Sequence, residues 1–360
     1  ASPTLNNDCS QLAWLQWNLP DMPWESAELV KSSLAAPRLD AEHISGGRKL
    51  GQTTASFQPV WSKSTSGEKL WFISDEKDYG QLFCWQNGKI TRVQPQDEAA
   101  DALRPQWVFG MKAFAIAGAP AISLSETSEQ NLETIHLSSF KEGKSLLQKI
   151  SPTETSKIKT TATSIENTVW ITDSTADENS SAGKLAAIVT TDQMSPSATL
   201  IDEHTAKLEI IRPGSELSLD PEDISKGQLK TYPTSRGEAY GLYYPPANKT
   251  FSGLDASLPP VIITIHGGPT GMANRGLKLK TQYWTNRGYG VFDVDYGGSA
   301  GYGKSYRERL TGGWGVVDVE DIISAAAYLI DEKLADPEKL IISGGSSGGY
   351  TCLMALAECN

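Results

Sequence analysis

Residues 1 to about 210 consist of short apolar runs, rich in β-branched and aromatic residues, that are separated by polar turns. Runs of this length and spacing are typical of strands, so the pattern predicts an all-β part. The predicted strands are Gln11–Trp17, Lys69–Ser74, Gln81–Trp85, Phe114–Ala117, Thr168–Thr172 and Lys184–Thr190.

A weak repeat runs through this part. The segment Ser56–Ser62 ahead of Leu70–Ser74 is similar to Arg104–Trp107 ahead of Ala113–Ala117. Tryptophans in such strands usually belong to the core, and we expect this of the Trp residues here.

The pattern changes near residue 260. Val261–Ile265 is a continuous β-branched run, as expected of a strand that is buried on both faces of a parallel sheet. The predicted elements that follow are a helix ending at Gly288, a strand over Gly290–Val294, a helix with Asp318 as N-cap and an apolar face from Val319 to Ile330, and a strand over Leu340–Ile342. This alternation predicts a parallel α/β layout in which the long helix packs on the sheet.

The last predicted strand leads into Gly344-Gly345-Ser346-Ser347-Gly348, a G-x-S-x-G pattern ahead of a helical run. Such a turn presents a nucleophilic serine, because flanking glycines let the strand and the helix approach closely. Shifted by one residue, Gly345 to Gly349 fits the same pattern with Ser347 as nucleophile. From the residues alone both serines are candidates.

The strand Val261–Ile265 ends in His266-Gly267-Gly268-Pro269, which fits an HGG-type oxyanion loop. A tetrahedral intermediate needs backbone N–H donors that are in place before the reaction, and the Gly268 and Ser347 amides are the candidate pair. We expect His266 to orient this loop or to line the substrate pocket rather than to act as the base. Tyr296 and Tyr350 are further pocket candidates.

Composition and charge argue against several classes of partner and cofactor. The chain has 360 residues, 39% of them hydrophobic, and a net charge of −11, which disfavours nucleic acid as a partner. No apolar run is long enough to predict a membrane span. The glycine-rich segment Asp295–Gly303 lacks the G-K-[ST] ending of a phosphate loop, and Cys9, Cys84, Cys352 and Cys359 have no metal-ligand spacing. We therefore predict no metal and no cofactor, with a cytoplasmic setting as the default.

Four motifs, in this order, resemble the prolyl oligopeptidase family of serine peptidases, in particular its acylaminoacyl-peptidase and dipeptidyl-peptidase-like branch. They are His266-Gly267-Gly268-Pro269, Asp295-Tyr296-Gly297-Gly298-Ser299 with Gly301-Tyr302-Gly303, Trp314 to Asp321, and Gly344 to Tyr350. The resemblance implies that Ser346 is the nucleophile. It also implies a β-propeller followed by an α/β-hydrolase domain with a doubly wound, mostly parallel sheet, and short peptides as substrates. With propeller blades of about 40–50 residues, roughly 210 residues would hold four or five blades.

The expected domains are a partial propeller over residues 1–212, a linker over 213–230 and the first part of the hydrolase domain over 231–360. All four histidines precede Ser346, whereas the α/β-hydrolase order is Ser, acid, His. We therefore expect the acid and the histidine beyond residue 360, a sequence truncated at both ends, and little activity from these residues alone. The alternatives are a carboxylesterase and a noncatalytic propeller module, and assembly into homo-oligomers is left open.

Overall fold

A computed structural model of the chain describes residues 1–35, 40–64, 67–93, 97, 99–117, 133–151, 153–172, 183–253, 257–268 and 270–358. Pro269 of the glycine loop and Cys359 lie outside the described residues. In the described part, no helix is long and apolar enough to cross a membrane.

As far as Arg212, the described residues form four antiparallel sheets of four strands each. The first contains β1 (Thr4–Leu5), β2 (Gln11–Gln16), β3 (Glu28–Ser33) and β4 (Glu42–Ser45), with the short helix α1 (Pro23–Ser26) between β2 and β3. A hairpin of β5 (Gly47–Lys49) and β6 (Gln52–Thr54) follows. The second sheet contains β7 (Ser56–Ser64), β8 (Gly67–Lys77), β9 (Tyr79–Gln86) and β10 (Lys89–Arg92).

The third sheet contains β11 (Phe114–Ala117), β12 (Thr134–Lys141), β13 (Lys144–Ile150) and β14 (Thr155–Ile158), and the fourth contains β15 (Ser164–Thr172), β16 (Gly183–Thr190), β17 (Ser197–Ile201) and β18 (Leu208–Arg212). All six strands predicted in this part lie in or overlap observed strands. Four sheets agree with the lower of the two blade counts expected from the sequence. We call residues 1–212 the propeller-like part.

Alternating side chains explain why these sheets stack face to face. Successive residues of a strand point to opposite faces, so Leu70 and Phe72 of β8 pack toward the first sheet while Trp71 and Ile73 pack toward the third. A further core joins the third and fourth sheets. Stacking of small antiparallel sheets by apolar cores is the arrangement of propeller blades.

The apparent sequence repeat does not correspond to repeated structure. Ser56–Ser62 falls in β7, the first strand of its sheet, whereas Arg104–Trp107 precedes β11 and forms no strand. Leu70–Ser74 lies in a second strand, while the matching segment around Phe114 forms a first strand. The similarity therefore reflects shared composition rather than equivalent positions.

Beyond Arg212 the chain forms a mixed α/β unit, which we call the α/β part (residues 228–358). Its strands are β19 (Gln228–Thr234), β20 (Gly237–Tyr244), β21 (Val261–Ile265), β22 (Gly290–Asp295) and β23 (Leu340–Gly344), in the sheet order β19-β20-β22-β21-β23. Its helices are α2 (Leu279–Thr285), α3 (Lys304–Arg307), α4 (Val317–Asp331) and α5 (Ser347–Glu358), and 3₁₀ turns occur at Pro221–Asp223 and Glu308–Leu310.

In the described part of this sheet, the pairs β21–β22 and β21–β23 are parallel. The other two pairs are antiparallel: β19 and β20 form a hairpin, and β20 also pairs with β22. In the described residues the sheet is therefore mixed rather than mostly parallel. The helix α4 packs on one face through Ile322, Ala325 and Leu329, as predicted, and Trp284 of α2 packs on the other.

The start of α4 differs from the prediction. The N-cap is Val316, and Asp318 lies within the first turn, where its Oδ1 accepts a hydrogen bond from the Gly315 N–H at 2.7 Å. Its other carboxylate oxygen accepts from Thr351 Oγ1 at 2.5 Å. Asp318 therefore joins α4 to α5 instead of capping its own helix, a contact between distant residues that local capping rules do not foresee.

Candidate active site

Two loops converge because the strands that lead into them are neighbours. β21 and β23 run parallel with Ile265 opposite Gly344, so the residues that follow both strands emerge at the same edge of the sheet. β22 flanks β21 on its other side, with Ile265 opposite Val294, and brings Tyr296 to this edge. Carboxyl ends of parallel strands are where α/β folds place their sites.

Ser346 lies at the sharp turn between β23 and α5. Its φ is 55°, in the left-handed region that a residue with a Cβ rarely adopts, and the residue is exposed. Its carbonyl accepts hydrogen bonds from the N–H groups of Gly349 at 3.0 Å and Tyr350 at 3.2 Å. The helix thus holds the backbone of Ser346 in a strained conformation while the residue remains accessible to solvent.

The spacing of the glycines around Ser346 has a steric cause. A Cβ on Gly344 would lie 2.3 Å from the carbonyl oxygen of Gly348, and one on Gly348 would lie 2.3 Å from the carbonyl oxygen of Ile265. Both distances are far below van der Waals contact. A Cβ on Gly345, by contrast, would meet nothing within 4 Å. Crowding therefore requires glycine at the two outer positions of the G-x-S-x-G pattern and leaves the position before the serine open.

The glycine loop after β21 packs against this turn. A Cβ on Gly267 would lie 3.0 Å from Ser346 Cβ, and Gly268 adopts a φ of 69°. Ser347 Oγ donates to the Gly268 carbonyl oxygen at 3.3 Å. Within the described part of the chain, neither the Gly268 amide nor the Ser347 amide donates to a protein acceptor, and Ser347 is the first residue of α5, where the helix dipole favours negative charge.

His266 is engaged in a network of its own. Its Nε2 lies 2.7 Å from Ser299 Oγ, and that hydroxyl donates its proton to the Tyr296 carbonyl at 2.8 Å. The imidazole Nε2 is therefore the donor to Ser299. The ring stacks on Tyr296 with centroids 4.5 Å apart, and burial lowers the pKa of His266 to about 4. His266 is thus a neutral side chain that is held by Ser299 and Tyr296.

The two tyrosine candidates have different surroundings. Tyr296 is buried beneath the imidazole, and its hydroxyl donates to the His266 carbonyl at 3.2 Å. Tyr350 is half-exposed, and its hydroxyl lies 2.8 Å from the position that a Gly315 Cβ would take. Of the two rings, only that of Tyr350 presents a large surface to a ligand. In the described residues, no group of three or more His, Cys, Asp or Glu side chains is arranged to hold a metal ion.

Comparison with known proteins agrees with this geometry. Residues 275–360 match the model of the prolyl oligopeptidase family. This part of the chain is therefore similar to that family. Across 96 residues it is 35% identical to dipeptidyl peptidase family member 6 of Caenorhabditis elegans, a match that covers 27% of this chain and 13% of that protein. It is also 32% identical over 96 residues to acylamino-acid-releasing enzyme 1 of Oryza sativa subsp. japonica, a match that covers 27% of this chain and 12% of that enzyme.

Structural similarity extends over the whole chain. A puromycin-hydrolyzing peptidase of Mycobacterium tuberculosis superposes with a TM-score of 0.85 at 28% identity, covering 100% of this chain and 52% of that one. A puromycin hydrolase crystal structure gives a TM-score of 0.82 at 28% identity, covering 99% of this chain and 50% of that one. The chain therefore spans about half the length of these relatives in the prolyl oligopeptidase family.

A tryptophan of the propeller-like part also contacts the glycine loop. Trp107 packs on the glycine loop, since a Cβ on Gly268 would lie 2.9 Å from Trp107 Cζ2, and its Nε1 donates to Thr270 Oγ1 at 3.3 Å. The expectation that the tryptophans are core residues holds for Trp61, Trp71 and Trp170, but 45% of Trp107 is exposed. Its position two residues after Pro105 and outside any predicted strand was the signal in the sequence that could have identified it.

The propeller-like part and the α/β part also meet through a buried ion cluster. Arg307 of α3 donates from Nη2 to Asp75 Oδ2 at 2.6 Å and lies 3.4 Å through Nη1 from Asp101 Oδ2. Next to it, Asp78 accepts from the Ser305 N–H at 2.7 Å. These contacts set the position of the propeller-like part, and hence of Trp107, relative to Ser346.

Proposed function

We propose that the protein containing this chain is a serine-type peptidase that hydrolyses short peptides through an acyl-enzyme intermediate. The exposed Ser346 at a left-handed φ, packed against the glycine loop, is the observation that carries this proposal. The match of residues 275–360 to the prolyl oligopeptidase family, and likeness to solved peptidases at 28% identity, support the same reaction.

In the proposed reaction, Ser346 Oγ attacks the carbonyl carbon of the scissile amide and its proton passes to a general base. The Gly268 and Ser347 N–H groups donate to the oxyanion that forms. The C–N bond then breaks as the protonated base returns its proton to the leaving amine. Water, deprotonated by the same base, hydrolyses the ester on Ser346 and regenerates the serine.

We assign the base to a histidine outside these 360 residues, with an acid outside them that orients it. Among the described residues, no histidine hydrogen-bonds Ser346. His266 is close, but its Nε2 donates to Ser299, and a pKa of about 4 makes it a weak base near neutral pH. In this proposal His266 and Tyr296 support the oxyanion loop, while Tyr350 lines the substrate pocket.

The family also suggests a domain division. We propose residues 1–212 as a propeller domain, 213–230 as a linker and 231–360 as the first part of an α/β-hydrolase domain. Full pairing of β19 with β20 supports placing the second boundary slightly earlier, at Gln228.

The nucleophile can be tested with a fluorophosphonate probe on the longest protein that the gene encodes. Ser346→Ala should abolish labelling, whereas Ser347→Ala should retain it, since Ser347 contributes its backbone N–H and not its side chain. Labelling that is lost only in the Ser347 variant would reverse the assignment. Comparable turnover by the 360-residue chain and the longest protein would show that the base lies within these residues.

Substrate class needs a second assay. Aminoacyl and dipeptidyl anilides should be turned over in preference to short acyl esters, and puromycin is a further test substrate because of the relatives that hydrolyse it. Turnover of esters alone would indicate a carboxylesterase. A longest protein that reacts with neither substrates nor probe would indicate a noncatalytic module.

A further inference from the structure

A cavity of about 600 Å³ lies away from Ser346, between the propeller-like part and the α/β part. Lys144 of β13 and the segment 157–163 at the end of β14 form one wall. Lys226 and Arg275 form the other. Its volume is in the range of small-molecule sites, which are often found where two structural units meet.

The charge of this cavity is opposite to that of the chain. Five cationic side chains and a single carboxylate line it: Lys144, Lys157, Lys159, Lys226, Arg275 and Asp192. The chain as a whole has a net charge of −11. Cations collected in one concave surface repel one another and concentrate anions from solution, so this local excess of positive charge indicates an anionic ligand.

Carboxylates of the protein neutralise only part of that charge. Lys226 pairs with Asp192 at 2.8 Å, and Lys157 lies 3.7 Å from Asp97. Lys144, Lys159 and Arg275 form no ion pair with the described residues. Three of the five cations therefore face the cavity without a carboxylate partner in the described part of the chain.

Among these three cations, Arg275 has a backbone that is held by a hydrogen bond to the propeller-like part. Its N–H donates to the Gly143 carbonyl at 3.1 Å, which ties its backbone to the turn between β12 and β13. Its Nε is buried and has no hydrogen-bond acceptor among the described residues. A buried N–H without an acceptor is costly, and such groups in native proteins are usually explained by an absent ion, water or ligand.

Two hydroxyls in the lining are also available as donors. Ser145 Oγ accepts from the Ile165 N–H at 2.9 Å, and Thr160 Oγ1 accepts from the Ala162 N–H at 3.2 Å. Because these bonds use the oxygen lone pairs, each hydroxyl proton remains free to be donated to an anion. Clustered cations with neutral O–H donors suit the oxygens of a phosphate group.

We propose that this cavity binds a small polyanion of the phosphate class, held by Arg275 and Lys226 on one side and by Lys144 and Lys159 on the other. Bound there, the ligand joins the propeller-like part to the α/β part. This site does not depend on the proposed peptidase activity, because none of its residues belongs to the candidate active site.

The test uses pyrophosphate as the probe and calorimetric titration of the protein. A single site that weakens with added salt is expected, since exposed lysines are screened. Lys144→Gln combined with Lys159→Gln should weaken binding by at least about tenfold, as loss of charge-assisted contacts of this kind costs on the order of 1.5 kcal/mol or more. Lys280→Gln, an exposed lysine of α2 outside the cavity, is the matched control.

Further measurements separate the outcomes. Arg275→Gln should weaken binding at least as much as the double variant, and pyrophosphate should raise the melting temperature of the unmodified protein, because the ligand binds the folded state. The double variant alters only exposed lysines, so it remains informative if Arg275→Gln fails to fold. Absence of binding, equal binding by the double variant and the unmodified protein, or tighter binding of citrate than of pyrophosphate at equal ionic strength would overturn the proposal.

Discussion

Arg307 of α3 and Asp75 of β8 form an ion pair of 2.6 Å across the boundary between the two parts, and both side chains are almost inaccessible to solvent. A second carboxylate, that of Asp101, faces the same guanidinium. One cation therefore compensates two buried carboxylates. Removal of that cation would leave both without the ion pair that they form in the described part of the chain.

We expect Arg307→Gln to destabilise the protein by about 3–5 kcal/mol, the usual cost of an uncompensated buried charge. The measurement is the free energy of unfolding in urea. Lys339→Gln is the matched control, because Lys339 pairs with Asp336 on the surface, where the loss of an ion pair costs at most about 1 kcal/mol. Equal stabilities of the two variants would contradict the role given to Arg307.

The same pair predicts a pH dependence of stability. Burial raises the pKa of Asp75 to about 6 although Arg307 opposes the shift, so the folded state holds this proton more tightly than the unfolded chain. The stability that Asp75 contributes is therefore full below about pH 4 and is lost as the pH rises through about 6.

Asp75→Asn should remove the part of the pH dependence of the free energy of unfolding that comes from Asp75. The free energy of unfolding is measured from about pH 4 to about pH 7 for both proteins, and the difference between the two curves reports Asp75, because Asp295 and His266, which also have shifted pKa values, are the same in both. Parallel curves across this range would show that Asp75 does not take up a proton there.

The local sequence pattern was sufficient to predict the strands named above and the position of the turn at Ser346. β-branched runs and the glycines at positions 344 and 348 carry that information in consecutive residues. The Arg307–Asp75 pair was out of reach, because its partners are 232 positions apart and neither lies in a distinctive motif. The contact between Trp107 and Gly268 could not be predicted for the same reason, because it depends on how the two parts dock.

Crowding around Ser346 predicts opposite effects for the glycines on its two sides, Gly345 and Gly348. Gly348→Ala should abolish fluorophosphonate labelling, because the new Cβ would lie 2.3 Å from the Ile265 carbonyl oxygen and displace the turn. Gly345→Ala should retain labelling, because its Cβ would meet nothing within 4 Å. Labelling of both variants in the longest protein encoded by the gene provides the measurement, and tolerance of alanine at Gly348 would refute the steric explanation.

Trp107 should affect turnover through the glycine loop. Since its ring packs on Gly268 and its Nε1 bonds Thr270, Trp107→Ala should let the Gly268 amide move and lower kcat/KM for peptide anilides by roughly 10- to 100-fold, the cost of a small misplacement of a catalytic group. Phe109→Ala is the matched control, because Phe109 is in the same segment and is 72% exposed. Retention of the pKa values that govern the pH–rate profile would show that Trp107 positions the loop without altering the base. Equal losses in the two variants would mean that the segment acts by its bulk alone, and the specific contact between Trp107 and Gly268 would then have no part in catalysis.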